Sequence, residues 1–351
     1  MRNLAAQILG EYASSLKFKI TGVFATVVIF NIVAWAVALV LFHDDALLMT
    51  SATLAYALGL RHAVDADHIV AIDNVTRKLM QAGRRPVAVG LFFSLGHSTV
   101  VATLSLVLAV TAANLHQHFP RLEDIGGMIG TSVSAGFLLL LAAMNFVVLV
   151  SVVRAFLRFK RGDHQQEQTI DALLARRGFA ARFFARLFHL VDRSWHLYPI
   201  GILFGLGFDT ATSIGLLGLS AAEASRGVSI WTIMVFPALF AAGMSFVDTL
   251  DNLLMLGAYS WSLVKPLRKF YYNITITLIS VLAALLIGGV ELLGLLRERW
   301  NLSGHFWNAV AQVNENFETL GYLIIGIFAV TWIVSMLRYR WLRYSEMKSA
   351  E

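Results

Sequence analysis

The chain has 351 residues, 58% of them hydrophobic, and only 14% are charged, against roughly 45–50% apolar and about 25% charged in an average soluble domain; an ordinary soluble globule is excluded and a polytopic helical membrane protein is implied. Cysteine is absent, which removes disulfides and thiolate metal ligands, so any metal must be held by nitrogen and oxygen. The formal net charge of +6 raises the question of nucleic acid, and the placement of the basic residues gives a simpler answer.

Apolar segments of roughly 20 residues mark membrane spans. They lie near 20–42, 46–75, 87–113, 124–150, 196–222, 229–259, 270–296 and 318–338, eight in all. Ala34-Trp35-Ala36 in the first loosely resembles a signal-cleavage site. The apolar run continues past it and is too long for a signal-peptide core, so this span is read as retained. The outer loops carry HDD at 43–45, HQH at 116–118 and a longer stretch, 297–315. Loop 151–195 carries FKRGDHQQEQ and then ARRGFAARFFARLFHLVDRSWH, a basic amphipathic run expected to lie on the inner membrane surface.

When the loops are numbered alternately, one side collects 23 of the 28 basic residues, and the other holds only Arg121, Arg226, Arg297 and Arg299. The basic side is cytoplasmic by the positive-inside rule, and the excess charge faces the inner leaflet rather than nucleic acid. The expected architecture is an all-α integral membrane protein, a bundle of eight transmembrane helices with both termini cytoplasmic. It divides into a membrane half 1–150, the loop 151–195 and a membrane half 196–351.

The spans themselves hold an unusual set of polar groups. The acids are Asp65, Asp67, Asp73, Asp209, Asp248 and Asp251, with Glu291 near a span end; the only base is Arg61, and the histidines are His62, His68 and His97. A charge at the bilayer centre costs roughly 2.5–3.5 kcal/mol even on lenient scales. The surplus of carboxylates makes the interior negative, which binding of protons or a metal cation would stabilise. An anion pathway would show the reverse ratio. Counted along the spans, these groups meet in one layer near or just inside the midplane, the usual depth of a transporter site.

At about 100° per residue, His62, Asp65, His68 and Asp73 share one broad face with Arg61, and Asp67 falls on the opposite side. A straight helix therefore cannot aim His62, Asp67 and His68 at one ion. Either Asp67 acts between helices or the helix is broken here, a recurring device at buried transporter sites. Arg61 is also placed to pair with Asp65, four residues on. GLFFSLGHSTVV (90–101) and GILFGLGFDTATSIG (201–215) align as G-x-x-F-x-L-G-x-x-T, and AIDN (71–74) matches TLDN (249–252). Two related halves around one site are suggested. Gly90, Gly96, Gly205 and Gly207 suit close helix packing.

Taken together these stretches resemble the NiCoT family of nickel/cobalt permeases. Its H-x4-D-H hallmark appears as His62, Asp67 and His68 within RHAVDADHI, beside FSLGHSTVV (93–101), LGFDTAT (206–212) and GMSFVDTLDN (243–252). The resemblance covers essentially the whole chain. It implies a secondary transporter of a bacterial cytoplasmic membrane that imports Ni²⁺ and, in some members, Co²⁺, with His62, Asp67 and His68 critical. The metal ion is substrate, and no resident cofactor is implied. The family pattern continues LGFDTATE, whereas Ser213 stands at the glutamate here, so a carboxylate ligand or proton carrier is missing. The expected ligands are His62, Asp67, His68, Asp65, His97, Asp209, Asp248 and Asp251. Arg61, Asp73, Asn74, Ser94, Ser98, Thr210, Thr212, Ser213 and Asn252 are expected to orient them or to gate the site.

Imidazole and carboxylate without sulfur suit Ni²⁺, Co²⁺ or Zn²⁺. No Walker motif appears, so the chain does not itself consume ATP, and no ATPase partner is evident. Two competing readings are a proton-coupled transporter or exporter of another divalent metal, and an intramembrane metalloenzyme. HExxH and GxSxG are both absent, and loop 151–195 lacks the histidine-rich tract of many exporters.

Overall fold

In a computed structural model the described residues are 2–111, 119–160, 191–206, 211–262, 266–317, 319–331 and 334, and among them the chain is helical with no strand. The helices are α1 (Arg2–Phe42), α2 (Ala46–His62), α3 (Ala66–Gln81), α4 (Val89–Thr111), α5 (Phe119–Lys160), α6 (Leu197–Gly205), α7 (Ala211–Ser225), α8 (Ile230–Ile233), α9 (Val235–Ser262), α10 (Pro266–Trp300) and α11 (His305–Glu315). A last apolar helix, α12, covers Thr319–Thr331.

Among the described residues five segments are long and apolar enough to cross a membrane: Leu16–Phe42, Val89–Val110, Met128–Val150, Ile230–Ala258 and Thr277–Trp300. The other three expected spans are not single long helices among the described residues. Segment 46–75 is split into α2 and α3. Segment 196–222 contributes α6 and α7, and 207–210 between them lie outside the described residues. Segment 318–338 contributes α12 alone.

The break at 63–65 has local causes. Asp45 caps α2, its Oδ1 accepting from the amides of Leu47 and Leu48 at 2.9 and 3.0 Å. At the far end the ladder tightens: Val64 N–H donates to the Arg61 carbonyl and Asp65 N–H to the His62 carbonyl, both at 3.0 Å. A new helix then starts at Ala66 with Asp67 in its first turn, where an anion meets the positive end of the helix dipole. Asp65 occupies the capping position of α3 but makes no capping bond; its carboxylate is drawn to His62 instead. Gly321 of α12 covers the break, seated on the Val64 carbonyl.

α3 is the centre of the bundle. Every residue from His68 to Met80 is buried, and α9, α10, α5 and α4 all pack on it. A helix buried all round is normally apolar; this one carries Asp73, Asn74, Thr76, Arg77 and Lys78 into the interior. Arg77 and Lys78, which the basic-residue tally counted in a loop, are thus helical and buried. The outer stretch 297–315 is also not a plain loop: α10 runs to Trp300 and α11 packs back on it.

Glycine sets how closely the helices approach. Gly96 of α4 rests on the Tyr198 carbonyl and Gly201 of α6 on the Phe93 carbonyl, while Gly90 of α4 rests on the Asp248 carbonyl of α9. Gly59 of α2 meets the Phe240 carbonyl of α9, and Gly243 returns the contact at Tyr56. A Cβ at any of these would collide with backbone rather than with a movable side chain. Packing is thus the role of Gly90, Gly96 and Gly205, and Gly207 lies outside the described residues. The segments that align in sequence are also neighbours: α4 packs on α6, and α2 and α3 pack on α9. Two apolar cores flank the break, one around α3, α5 and α10 and one around α1, α2, α7 and α9.

Gly96→Ala therefore lowers the thermal unfolding midpoint of the detergent-solubilised protein, an overpacking penalty of about 1–3 kcal/mol. Gly136→Ala, where a Cβ meets nothing within 4 Å, leaves it unchanged or raises it by the helix-propensity gain of up to about 1 kcal/mol.

Candidate metal site

Three histidines converge where α2 ends, α3 begins and α4 passes. His62 is the last residue of α2, His68 lies in the first turn of α3, and His97 comes from the middle of α4. All are buried, and one ligand atom of each lies within 4.8 Å of the others. The ring centroids are 4.7 Å apart for His62 and His68, 4.6 Å for His62 and His97, and 5.0 Å for His68 and His97. The closest approach is Nε2 of His62 to Nε2 of His97, at 2.9 Å. The break makes this possible, because the tight turn at 63–65 brings His62 and His68 edge to face.

Behind two of the rings stands an oxygen. His62 Nδ1 is 3.0 Å from Asp65 Oδ2 and 2.8 Å from Thr212 Oγ1. His68 Nδ1 is 3.4 Å from both carboxylate oxygens of Asp248. With its proton on Nδ1, each imidazole donates to its carboxylate and turns the Nε2 lone pair inward, the arrangement that fixes the tautomer of a metal-binding histidine. His68 Nε2 and His97 Nδ1 have no hydrogen-bond partner in the protein. Unpartnered buried nitrogens are costly unless something else meets them.

Aromatic rings close the walls. Phe93, one turn before His97, meets the His68 ring edge-on at a centroid distance of 4.8 Å, and Phe240 lies 5.5 Å from His62. Phe93 also packs on Phe204 at 5.2 Å, so the phenylalanines that align between the two glycine-rich motifs touch. Walls so lined give the histidines an apolar setting, which strengthens every charge interaction among them.

The remaining expected residues are dispersed around and beyond the trio. Asp65 and Thr212 touch His62 and Asp248 touches His68, whereas Asp67 is in charge range of His62, His68 and Asp65 with its Oδ1 unpartnered. It stands beside the trio rather than in it. Asp73 and Asp251 interact with each other further along, and Asp73 Oδ2 accepts from Ser280 Oγ at 2.7 Å. Away from the histidines, Ser94 Oγ donates to its own helix at Gly90, and Asn252 ties α9 to Thr76, Pro86 and Val89. Asn74 Oδ1 accepts from Arg77 and Asn145. Ser98 Oγ is buried without a partner, and Ser213 is buried next to Thr212. Arg61, expected on the polar face of the span, is exposed at the end of α2: the break ends the helical register that would have carried it inward. Asp209 and Thr210 lie outside the described residues, as does HQH 116–118.

Phe93, Phe240 and Ser280 were missed from sequence. Phe93 carries a signal, an aromatic residue four positions before a span histidine; Ser280 carries none, since its helix holds no motif.

Comparison with known proteins identifies the family. The family described as high-affinity nickel-transport protein matches residues 48–338. The chain is 56% identical over 328 residues to a high-affinity nickel transport protein of Cupriavidus necator, covering 93% of each. It is 42% identical over 321 residues to the high-affinity nickel-transport protein NixA of Helicobacter pylori, covering 90% of this chain and 96% of that one. It is 41% identical over 290 residues to a cobalt transport protein of Rhodococcus rhodochrous, covering 82% of each. No solved structure matches. With most of its length matched in this way, the chain belongs to the family of high-affinity nickel-transport proteins.

Proposed function

We propose that the protein is a permease that imports Ni²⁺, with Co²⁺ as second substrate, through the His62–His68–His97 site. The observation that carries this reading is the buried histidine trio with carboxylates behind two of its rings. Imidazole and carboxylate donors without sulfur suit Ni²⁺ and Co²⁺, and His62 and His97 bring their Nε2 atoms to hydrogen-bond distance, 2.9 Å, within the trio.

In this reading the cation arrives from outside, exchanges water for imidazole, and is balanced by Asp65, Asp67 and Asp248. Asp209 and Asp251 complete the acidic surroundings. Thr212 holds the His62 ring; Arg61, Asp73, Asn74, Ser94, Ser98, Thr210, Ser213 and Asn252 fix the helices or gate them. The chain spans the bacterial cytoplasmic membrane eight times with both termini inside, as halves 1–150 and 196–351 joined by the basic segment 151–195. The inside-negative potential favours influx of a divalent ion by about 4.6 kcal/mol per 100 mV.

Uptake of ⁶³Ni²⁺ at nanomolar metal, with equal membrane levels confirmed, tests this. His62→Ala reduces uptake by at least about 100-fold, and Thr212→Val, which removes the oxygen behind the ring, by about 10–100-fold. His43→Ala, at an exposed pair with Asp44, leaves uptake unchanged. Uptake intact in His62→Ala would overturn the site. Ser213→Glu adds a carboxylate beside Thr212, and uptake at nanomolar metal is expected to rise. A fall would mean that this chain has rebuilt its site around the serine.

A further inference from the structure

Arg77 is the buried ionisable group that the transport reading leaves unused. It is 2% exposed, on the buried helix α3 in the turn before its C-terminal end. A guanidinium offers five N–H donors. Its hydrogen bond is from one Nη to Asn74 Oδ1, at 2.9 Å, while Nε and the other Nη have no partner. Asn74 is a fixed and neutral receiver: its Nδ2 donates to the Val70 carbonyl and its Oδ1 also accepts from Asn145. A neutral amide does not compensate a buried charge, and a buried charge without a counter-ion is strongly destabilising. In a membrane such a group marks function by default.

The counter-ion is close at hand. Asp73 lies four residues earlier on the same helix, where side chains stand about 5–6 Å apart and the acid-before-base order is the favourable one. Its carboxylate is fully buried, held by Ser280, and charge-coupled to Asp251. The acids along α3 and α9 thus form a chain from the histidines to Asp73, with Arg77 one turn beyond. A divalent cation passing this chain neutralises it; once the cation has gone, the carboxylates repel one another.

We propose that Arg77 is the internal counter-charge of the transport cycle: after the cation leaves, its guanidinium swings from Asn74 to Asp73 and offsets that carboxylate, lowering the repulsion among the acids, while the protein returns to its outward-facing state. This rests on the import reading above. Arg77 acts as a positioning residue and does not bind the metal. Net uptake requires the return step without cargo; exchange of internal for external metal does not. The two fluxes therefore separate this role from a structural one.

The experiment uses the full-length protein in proteoliposomes, with ⁶³Ni²⁺ as probe and two neutral variants. These are Arg77→Gln and Arg77→Met, the second an apolar side chain of similar length that a buried helix accepts even where glutamine does not fold. Net uptake is expected to fall at least about ten-fold while nickel–nickel exchange stays within about two-fold of the parent. Arg77→Lys, which keeps the charge, retains net uptake. Equal loss of both fluxes at equal protein level would assign Arg77 to structure or binding and overturn the proposal. Unchanged net uptake in Arg77→Met would also overturn it, leaving water as the partner of the two free donors. Absence of exchange in the parent protein would instead overturn the importer reading itself.

Discussion

Backbone contact at glycine is the constraint on which the site depends. α4 touches α6 through Gly96 and Gly201 and touches α9 through Gly90, in each case against a carbonyl oxygen. Helices that meet at this distance place the first atoms of their side chains, and not only the tips, in a common layer. His97 can then approach His62 to 2.9 Å, and Asp248, whose own carbonyl faces Gly90, stands behind His68. Small residues at crossings are the general means of helix association in lipid, where apolar side chains gain nothing by leaving the hydrocarbon. Here the same device sets the geometry of a polar centre.

The second determinant is the inversion of polarity across the bundle. The outer helices show large apolar side chains to the surroundings, such as Ile29, Val40 and Leu254, whereas the innermost helix carries aspartate, asparagine, arginine and lysine. An apolar environment rewards this only if the polar groups satisfy one another. Most do: Asp73 with Ser280, Asn74 with Asn145 and Val70, Asn252 with Thr76. Among the groups left unpartnered, His68 Nε2, His97 Nδ1 and Asp67 Oδ1 lie at or beside the histidine trio. Unsatisfied groups are tolerated where function needs them and compensated elsewhere.

Much of the site was legible before any coordinates. Charged residues in apolar runs are rare enough that His62, His68, His97, Asp65 and Asp248 stood out as a set, and the structure brings them together. Asp67 was legible as a residue of the motif, and the helical wheel set it on a different side from His62 and His68; in the structure, with the turn at 63–65, it lies next to the trio rather than in it. Span counting was less complete. It joins apolar residues across a break as readily as along a helix, so 46–75 read as a single span although it holds two helices, α2 and α3. The tally of basic residues counted Arg77 with a loop, although it is buried on α3.

The sequence by itself determined composition-level facts: a helical chain with apolar segments of membrane-spanning length, without thiols, and with acids and three histidines inside its apolar runs. Those follow from local propensities and from the high cost of charge in hydrocarbon, both of which act residue by residue. Only the tertiary structure decided which partners each polar group has. Thr212 behind His62, Asp248 behind His68, Ser280 on Asp73 and Asn145 on Asn74 join residues separated by 71 to 207 positions. Such pairs depend on how the helices cross, and a crossing is set by contacts on both helices at once, which no single stretch of sequence contains.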